Sequence, residues 1–265
     1  MVTDGKRRIV MRSKIVICAL TGILFLCSSG LAESRSSEKW EYKITPYGWL
    51  AGQKGTVATL PGFPPADIDV GFLDDIAGNI NGSMSVKTEL RKGHWGAIAD
   101  ISYSDIEDET ATANTILWQT VSSRTKSWIV SLAGQYRLFE YPGTFMDAIG
   151  GIRYWSVDSR LALRGGPAQD REISHKEDWF DPILGLRDQS FLGNSKFFLS
   201  GELFIGGFGI GSDFMWDACV NLGYQMTESV DITLGYRYMD VDYEKGEFLY
   251  DVSQDGLIMS LGWQF

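Results

Sequence analysis

The chain has 265 residues and a formal net charge of −10, and 44% of its residues are hydrophobic. A chain this acidic lacks the basic surface that nucleic acid requires, which excludes a nucleic-acid partner. Its length allows one large β-domain or two small ones.

The first 32 residues have the pattern of an export signal. A basic segment that ends at Lys14 precedes an apolar run of 12 residues, Ile15 to Leu26, and small residues follow before the expected cleavage. Met11 is an alternative start that gives the signal a more ordinary length. We assign residues 1–32 to a signal peptide and residues 33–265 to one mature domain.

Removal of the signal takes five basic groups and one acidic group from the 24 and 34 of the whole chain, which leaves a formal charge of −14. Cys27 allows a lipoprotein alternative, which Leu26 disfavours because a lipobox needs a small residue there. Only Cys219 remains in the mature chain, so an intrachain disulfide is excluded. No apolar run exceeds 12 residues, whereas a membrane-spanning helix needs about 20. A membrane protein of this sequence must therefore be a closed barrel, since lipid tolerates no unpaired strand edge.

Nine segments in the mature chain alternate between apolar and polar residues before the C-terminal strand is reached. In chain order they cover residues 40–50, 81–91, 94–104, 124–139, 144–163, 179–191, 196–206, 213–225 and 230–242. Long loops are predicted over 51–80, 105–122 and 164–178, and tight turns follow the second, fourth, sixth and eighth strands. Pro46 cannot donate to a ladder, so we expect a bulge or an unpaired site there.

The last stretch, Leu257 to Phe265, has the clearest alternation. Every second residue counted back from Phe265 is large and apolar, and Ile258 is the one exception among the residues between them. A period of two gives a β-strand one apolar face. A terminal aromatic residue on such a strand resembles the closing strand of bacterial outer-membrane barrels. Short turns, longer loops and an even strand count point the same way. The sequence predicts an all-β fold, a closed antiparallel transmembrane β-barrel of about ten strands, with eight or twelve as alternatives.

Aromatic residues at the strand ends predict two girdles at the membrane surfaces. The turn-side girdle comprises Trp40, Trp95, Tyr136, Tyr224, Trp263 and Phe265, and the loop-side girdle comprises Tyr103, Trp128, Tyr154, Trp216 and Tyr238. Trp49 and Trp155 have the opposite, inward parity and do not fit either girdle.

Most of the mature chain resembles a family of bacterial outer-membrane proteins of unassigned function. The segments that carry the likeness are ITPYGWL (44–50), RKGHWGAIADISY (91–103), GGIRYW (150–155), GSDFMWD (211–217) and LGYRYMDVDY (234–243). The resemblance implies an outer-membrane barrel and brings no catalytic residues with it.

The same parity predicts a charged cluster on the lumen side of the strands. Its members are Lys87, Glu89, Arg91, Asp100, Arg137, Asp147, Arg153, Glu202, Asp217, Asp231 and Arg237. Because the charges nearly cancel, one interpretation is a set of ion pairs that fills a narrow barrel. The alternative is a narrow polar pathway in which paired charges act as a filter.

The sequence offers little support for an enzyme or a metal site. Hydrolytic chemistry needs a base beside a nucleophile, and of the two histidines only His175, beside Ser174 in the predicted third loop, could act as that base. Asp240-x-Asp242-x-Glu244-x-Gly246 does not match a calcium loop, because its glycine falls at position 7 instead of 6. We therefore expect no catalytic residues, no metal and no cofactor.

These observations predict a monomeric protein of the Gram-negative cell outer membrane. Its expected role is structural or that of a narrow, porin-like passive channel for small solutes. The alternatives are a lipid-modifying enzyme and a protein that interacts through its surface loops. The expected partners are outer-membrane lipid and, through the C-terminal strand, the barrel-assembly machinery.

Overall fold

A computed structural model describes residues 39–60, 64–71, 80–111, 120–164 and 169–265; the signal peptide predicted over residues 1–32 lies outside these ranges. The described residues form eleven strands, and none forms a helix long and apolar enough to cross a membrane. The strands are β1 (Trp40–Ala58), β2 (Ala66–Val70), β3 (Ile80–Lys92), β4 (Trp95–Ala111), β5 (Thr120–Tyr141), β6 (Thr144–Arg164), β7 (Arg171–Phe191), β8 (Phe197–Gly206), β9 (Phe214–Gln225), β10 (Val230–Lys245) and β11 (Phe248–Gln264).

Ten of these strands close into an antiparallel barrel, as the sequence predicts. Each barrel strand pairs with its sequence neighbours, and β11 pairs with β1 to complete the ring. The short β2 is not a barrel strand of its own, because it pairs only with the far half of β1. Two backbone hydrogen bonds between Tyr42 and Phe265 seal the seam at the chain's last residue.

The connections divide the barrel into two ends. Tight turns join β3 to β4, β5 to β6, β7 to β8 and β9 to β10, and both β1 and β11 have their outer termini at this end, which we call the turn end. Gly93 and Gly143 in two of these turns have φ of 62° and 79°, a left-handed conformation that glycine adopts without strain. We call the opposite end the loop end.

Several strands extend further toward the loop end than the sequence predicts. β1 continues to Ala58, β4 to Ala111, and β7 begins at Arg171, so the predicted loops over 51–80, 105–122 and 164–178 are partly strand. The prediction was wrong because it depended on an apolar outer face. Beyond the apolar belt the outward residues become polar, and the contrast between the two faces disappears even though the backbone remains extended.

Pro46 interrupts the seam between β1 and β11, as expected from its missing N–H. The ladder pairs Ile44 with Trp263 and resumes at Tyr47 with Ser260, leaving Thr45 and Pro46 unpaired on this side.

The outward face carries most of the predicted girdle residues. Trp40, Trp95, Tyr136 and Trp263 are exposed at the turn end, and Trp128 is exposed nearer the loop end. Trp216 differs from the prediction: it is only 3% exposed, and its ring stacks on Tyr238 with centroids 4.7 Å apart.

The barrel wall is low at β8 and β9, which are shorter than their neighbours. β8 pairs with β7 only from Ile183 toward the turn end, so the loop-end half of β7 rises past it. Above the low wall, β7 meets β10 through side chains. The rings of Trp179 and Tyr243 stack with centroids 4.0 Å apart, and Lys245 Nζ lies 2.7 Å from Glu177 Oε1.

Candidate functional site

The predicted lumen charges all lie on barrel strands, and the structure joins them into two buried centres and several flanking pairs. One centre surrounds Asp147 near the turn end, and the other surrounds Asp217 in the middle of the barrel. The flanking pairs join Lys87 to Glu202 and Asp231 to Lys43.

Asp147 is fully buried and accepts hydrogen bonds from three arginines. Its Oδ1 lies 2.5 Å from Arg137 Nε, and its Oδ2 lies 2.6 Å from Arg91 Nη2 and 3.0 Å from Arg187 Nη2. A buried carboxylate is stable only when charged donors compensate for its lost hydration. The three guanidinium groups supply that compensation from three different strands.

Arg187 belongs to this centre, although the sequence prediction missed it. Besides Asp147, it contacts Glu89 Oε2 at 2.6 Å and Gln135 Oε1 at 2.9 Å. The segment 179–191 has the least regular alternation of the predicted strands, so no inward face was assigned to it. The signal was present in the spacing, because Arg187 has the same odd parity as the buried Asp181 and Ile183.

The second centre couples three strands in the middle of the barrel. Asp217 Oδ2 lies 2.9 Å from Arg153 Nη1 and 2.7 Å from Arg237 Nη2. Both arginines also contact aromatic rings, since the Arg237 guanidinium carbon lies 4.6 Å from the ring centroid of Trp49 and that of Arg153 lies 5.6 Å from Phe204. Guanidinium groups on aromatic faces gain cation–π attraction, which holds them in place.

Several of these pairs join strands that are not neighbours in the sheet, and so they cross the lumen. Lys87 on β3 lies 2.6 Å from Glu202 on β8, and Glu89 on β3 reaches Arg187 on β7. Tyr47 on β1 donates to Asp100 on β4 across 2.9 Å. The charged side chains therefore bridge the barrel and do not only coat its wall.

A cavity of about 390 Å³ remains among these side chains at the turn end. Its mouth includes Glu41, Gln225 and Gln264 near the strand termini, and its depth reaches Arg153 and Arg237. Arg91 Nη1 and Arg187 Nε in its wall have no hydrogen-bond partner among the described residues. Both nitrogens are inaccessible to water, so they lie behind the surface of the cavity.

An apolar layer built from β6, β7, β9, β10 and β11 lies in the lumen toward the loop end. Its members are Trp155, Val157, Trp179, Ile183, Met215, Met239, Val241, Tyr243, Phe248, Tyr250 and Val252, all at most 5% exposed. Trp155 stacks on Trp179 with centroids 5.7 Å apart, and Trp179 stacks on Tyr243. The sequence indicated this layer only through the inward parity of Trp155, which belongs to it, and of Trp49, which packs against it.

The sequence predicted His175 in a loop, but this residue lies in β7. Its ring packs against Phe248 with centroids 5.6 Å apart, and its Nε2 lies 3.8 Å from Glu177 Oε2. Glu177 also accepts hydrogen bonds from Tyr243 and Lys245. Burial raises the pKa of Glu177, but the hydrogen bonds from Lys245 and Tyr243 outweigh it, so the pKa lies below its ordinary value. These contacts tie Glu177 into the link between β7 and β10.

The segment from Asp240 to Lys245, which holds the acidic residues weighed for calcium, lies within β10. Within the described ranges, no three His, Cys, Asp or Glu side chains are grouped to hold a metal ion.

No protein-family model and no curated protein matches the sequence, so the motifs behind the family resemblance remain a prediction. Solved structures do match. The outer-membrane protease OmpT from Escherichia coli has a TM-score of 0.54 at 12% identity, over 88% of this chain and 99% of that one. The translocator domain of the autotransporter NalP from Neisseria meningitidis gives 0.49 at 12% identity, over 97% and 96%. Neisserial surface protein A gives 0.35 at 14% identity, over 86% and 100%. At these identities the likeness concerns the fold alone, and the fold of this chain is that of bacterial outer-membrane β-barrel proteins.

Proposed function

We propose that this protein is a structural barrel of the outer membrane whose lumen is closed to free diffusion. The observation that carries the proposal is the apolar layer, in which eleven inward side chains from five strands are at most 5% exposed. Water and ions do not pass through a layer packed like a protein interior. The ion pairs beneath it add a second obstruction, because they bridge strands on opposite sides of the lumen.

The proposal orients the barrel with its turn end toward the periplasm, as in other outer-membrane barrels. The cavity of about 390 Å³ then faces the periplasm, and the long strands project beyond the outer surface. We further propose that the protein is a monomer, and that the assembly machinery recognises the C-terminal strand, whose outward residues Met259, Trp263 and Phe265 are exposed.

Single-channel recording in planar bilayers tests the closed lumen. We expect no steady conductance from refolded wild-type protein whose folding is verified by heat-modifiable migration on gels. The double variant Trp155→Ala, Trp179→Ala removes two stacked rings of the apolar layer and should raise the frequency of conducting events. Trp128→Ala is the matched control, since its side chain faces outward and is 43% exposed.

Steady, salt-dependent conductance from the folded wild type would refute the proposal. It would favour the second candidate function, a narrow porin-like channel for small solutes. The cavity at the turn end is the observation that supports this candidate. In that case ions would have to pass Asp217, and Arg153→Gln and Arg237→Gln should change the cation preference.

A further inference from the structure

One part of the turn-end cavity wall, on β7, β8 and β9, carries no charge. Along the strand ladders Gln189 pairs with Ser200, and Ser200 pairs with Asn221. Two residues nearer the tight turns, Phe191 pairs with Phe198. All five side chains line the cavity, and we call them the uncharged patch.

The polar members of the uncharged patch are free to bind a ligand. Within the described part of the chain, the side chains of Gln189 and Ser200 form no hydrogen bond, and Asn221 accepts a single weak one from Cys219 Sγ at 3.5 Å. All three residues are half-buried, so the cavity reaches them. Amide and hydroxyl groups can both donate and accept hydrogen bonds, so this row of side chains suits a partner that also does both.

The aromatic members of the uncharged patch form an apolar surface beside the polar row. The rings of Phe191 and Phe198 pack with centroids 5.4 Å apart. A Cβ at Gly223 on β9 would overlap the ring of Phe198, so the missing side chain at Gly223 gives this ring its place against the wall. The cavity therefore stays open in front of the two rings.

The charges around the cavity are compensated within the protein. Seven basic residues line it, and each forms an ion pair with a carboxylate, so an anion finds no unpaired cation there. Three lining carboxylates form no ion pair among the described residues. Asp100 accepts a hydrogen bond from Tyr47, Asp188 turns to the outward face against Gly201, and Glu41 lies at the mouth. A cationic ligand would therefore depend on Glu41.

The size and the lining of the cavity together indicate the class of ligand. Its volume of about 390 Å³ falls within the range of small-molecule sites, about 300–1,000 Å³, which combine apolar surface with a few polar groups. A sugar ring carries hydroxyl groups around its edge and C–H groups on its faces. It can thus contact the polar row and the aromatic rings at the same time.

We infer that the turn-end cavity is a binding site for an uncharged carbohydrate of the size of a mono- or disaccharide. Gln189, Ser200 and Asn221 bind its hydroxyl groups, and Phe191 and Phe198 pack against its ring. The inference rests on the proposed function for the orientation of the barrel, which makes the ligand a periplasmic one.

An NMR saturation-transfer titration of the refolded protein, in a detergent without a sugar headgroup, tests the inference. The probes share one type of ring and differ in charge at mildly acidic pH: N-acetylglucosamine is neutral, glucosamine is a cation and glucuronic acid is an anion. We expect N-acetylglucosamine to bind the wild type at least about tenfold more tightly than either charged sugar, which corresponds to about 1.4 kcal/mol.

Two variants and a matched control locate the site. Gln189→Leu with Asn221→Leu removes both amides of the uncharged patch and should weaken the binding of N-acetylglucosamine about tenfold. Gly223→Ala keeps these amides but pushes the ring of Phe198 into the cavity, and it should weaken binding as well. Gln254→Leu is the control, because Gln254 lies in the loop-end half of β11 and does not line this cavity; its binding should equal that of the wild type.

Heat-modifiable migration verifies that each variant is folded before binding is measured. Three results would overturn the inference: no binding of N-acetylglucosamine to the wild type, equal binding of the neutral and charged sugars, or unchanged binding in either folded variant. Tighter binding of glucosamine that Glu41→Gln abolishes would show a cation site in its place. Steady conductance from the wild type would instead refute the closed lumen and leave the sugar preference as it is, so the two proposals fail through different measurements.

Discussion

The buried carboxylate of Asp147 provides the sharpest test of how the lumen is held together. Asp147→Asn keeps the shape of the side chain but removes the charge that three arginines share. Arg137 keeps Glu140 as a partner and Arg187 keeps Glu89. Among the described residues, Asp147 is the only carboxylate that forms an ion pair with Arg91, whose side chain is only 10% exposed.

The expected loss of stability follows from the number of arginines that lose their only carboxylate partner. Removing one partner of a buried ion pair typically costs about 3–5 kcal/mol, and here one arginine loses its pair completely. Asp231→Asn is the matched control, because Asp231 and Lys43 form a pair of the same length but are 15% and 25% exposed. We expect the control to cost about 1 kcal/mol or less, as partly solvated pairs do.

Urea titration in lipid vesicles, followed by tryptophan fluorescence, measures both losses. At a typical dependence of about 2 kcal/mol per molar urea, Asp147→Asn should lower the midpoint by about 2 M. Adding Arg91→Met to Asp147→Asn should restore part of the loss, since it removes the uncompensated charge. If Asp147→Asn lies within about 1 kcal/mol of the wild type, or if the control costs as much, the reasoning about burial is wrong.

Two further predictions concern the seam and the loop-end link. A Cβ at Gly256 would clash with the carbonyl oxygen of Leu50, so Gly256→Ala should cost about 1–3 kcal/mol in the same titration. Gly48 has open space around it, so Gly48→Ala should be neutral. Equal losses of stability in the two variants would contradict the clash. The pKa of Glu177 is lower in the folded protein than in the unfolded chain, where it is about 4.3. The contacts of its carboxylate therefore stabilise the barrel fully at pH values above the unfolded pKa. That stabilisation is lost as the pH falls through the lower pKa of the folded state. Wild-type protein should therefore lose more stability than Glu177→Gln between about pH 7 and pH 3, and a parallel loss in both would show that this carboxyl is not responsible.

Local alternation was enough to predict the barrel, because a strand in lipid must show an apolar residue at every second position. The same rule identified the inward charges, from Lys87 on β3 to Arg237 on β10. It failed where the outer environment changed. Beyond Tyr103 on β4 and Phe180 on β7, both faces of the strands are polar or mixed, so the extensions of these two strands were interpreted as loops.

The contacts among the inward side chains cannot be predicted from the alternation of apolar and polar residues along each strand. Which of the inward arginines meets Asp147 follows from the stagger of β3, β5, β6 and β7, and that stagger is fixed only when the ring closes. The apolar layer was missed for a related reason. The sequence analysis left Tyr243 and Phe248 in the connection between the last two strands. The residues next to them in sequence give no sign that β8 and β9 are short enough for side chains of β10 to contact those of β7.

The ring contains one pairing unlike the others. Each of its other strand pairs joins sequence neighbours, so it can form as a hairpin or as an extension of a meander, whereas the pairing of β1 with β11 joins residues such as Lys43 and Gln264. Contacts between residues close in sequence form early, whereas a contact between the two ends of the chain requires the loss of more loop-closure entropy. We therefore expect this seam to be the last pairing to form and the first to open. Until the seam closes, β1 and β11 are the two edges of an open sheet, and their unpaired N–H and C=O groups are a template for pairing with another chain.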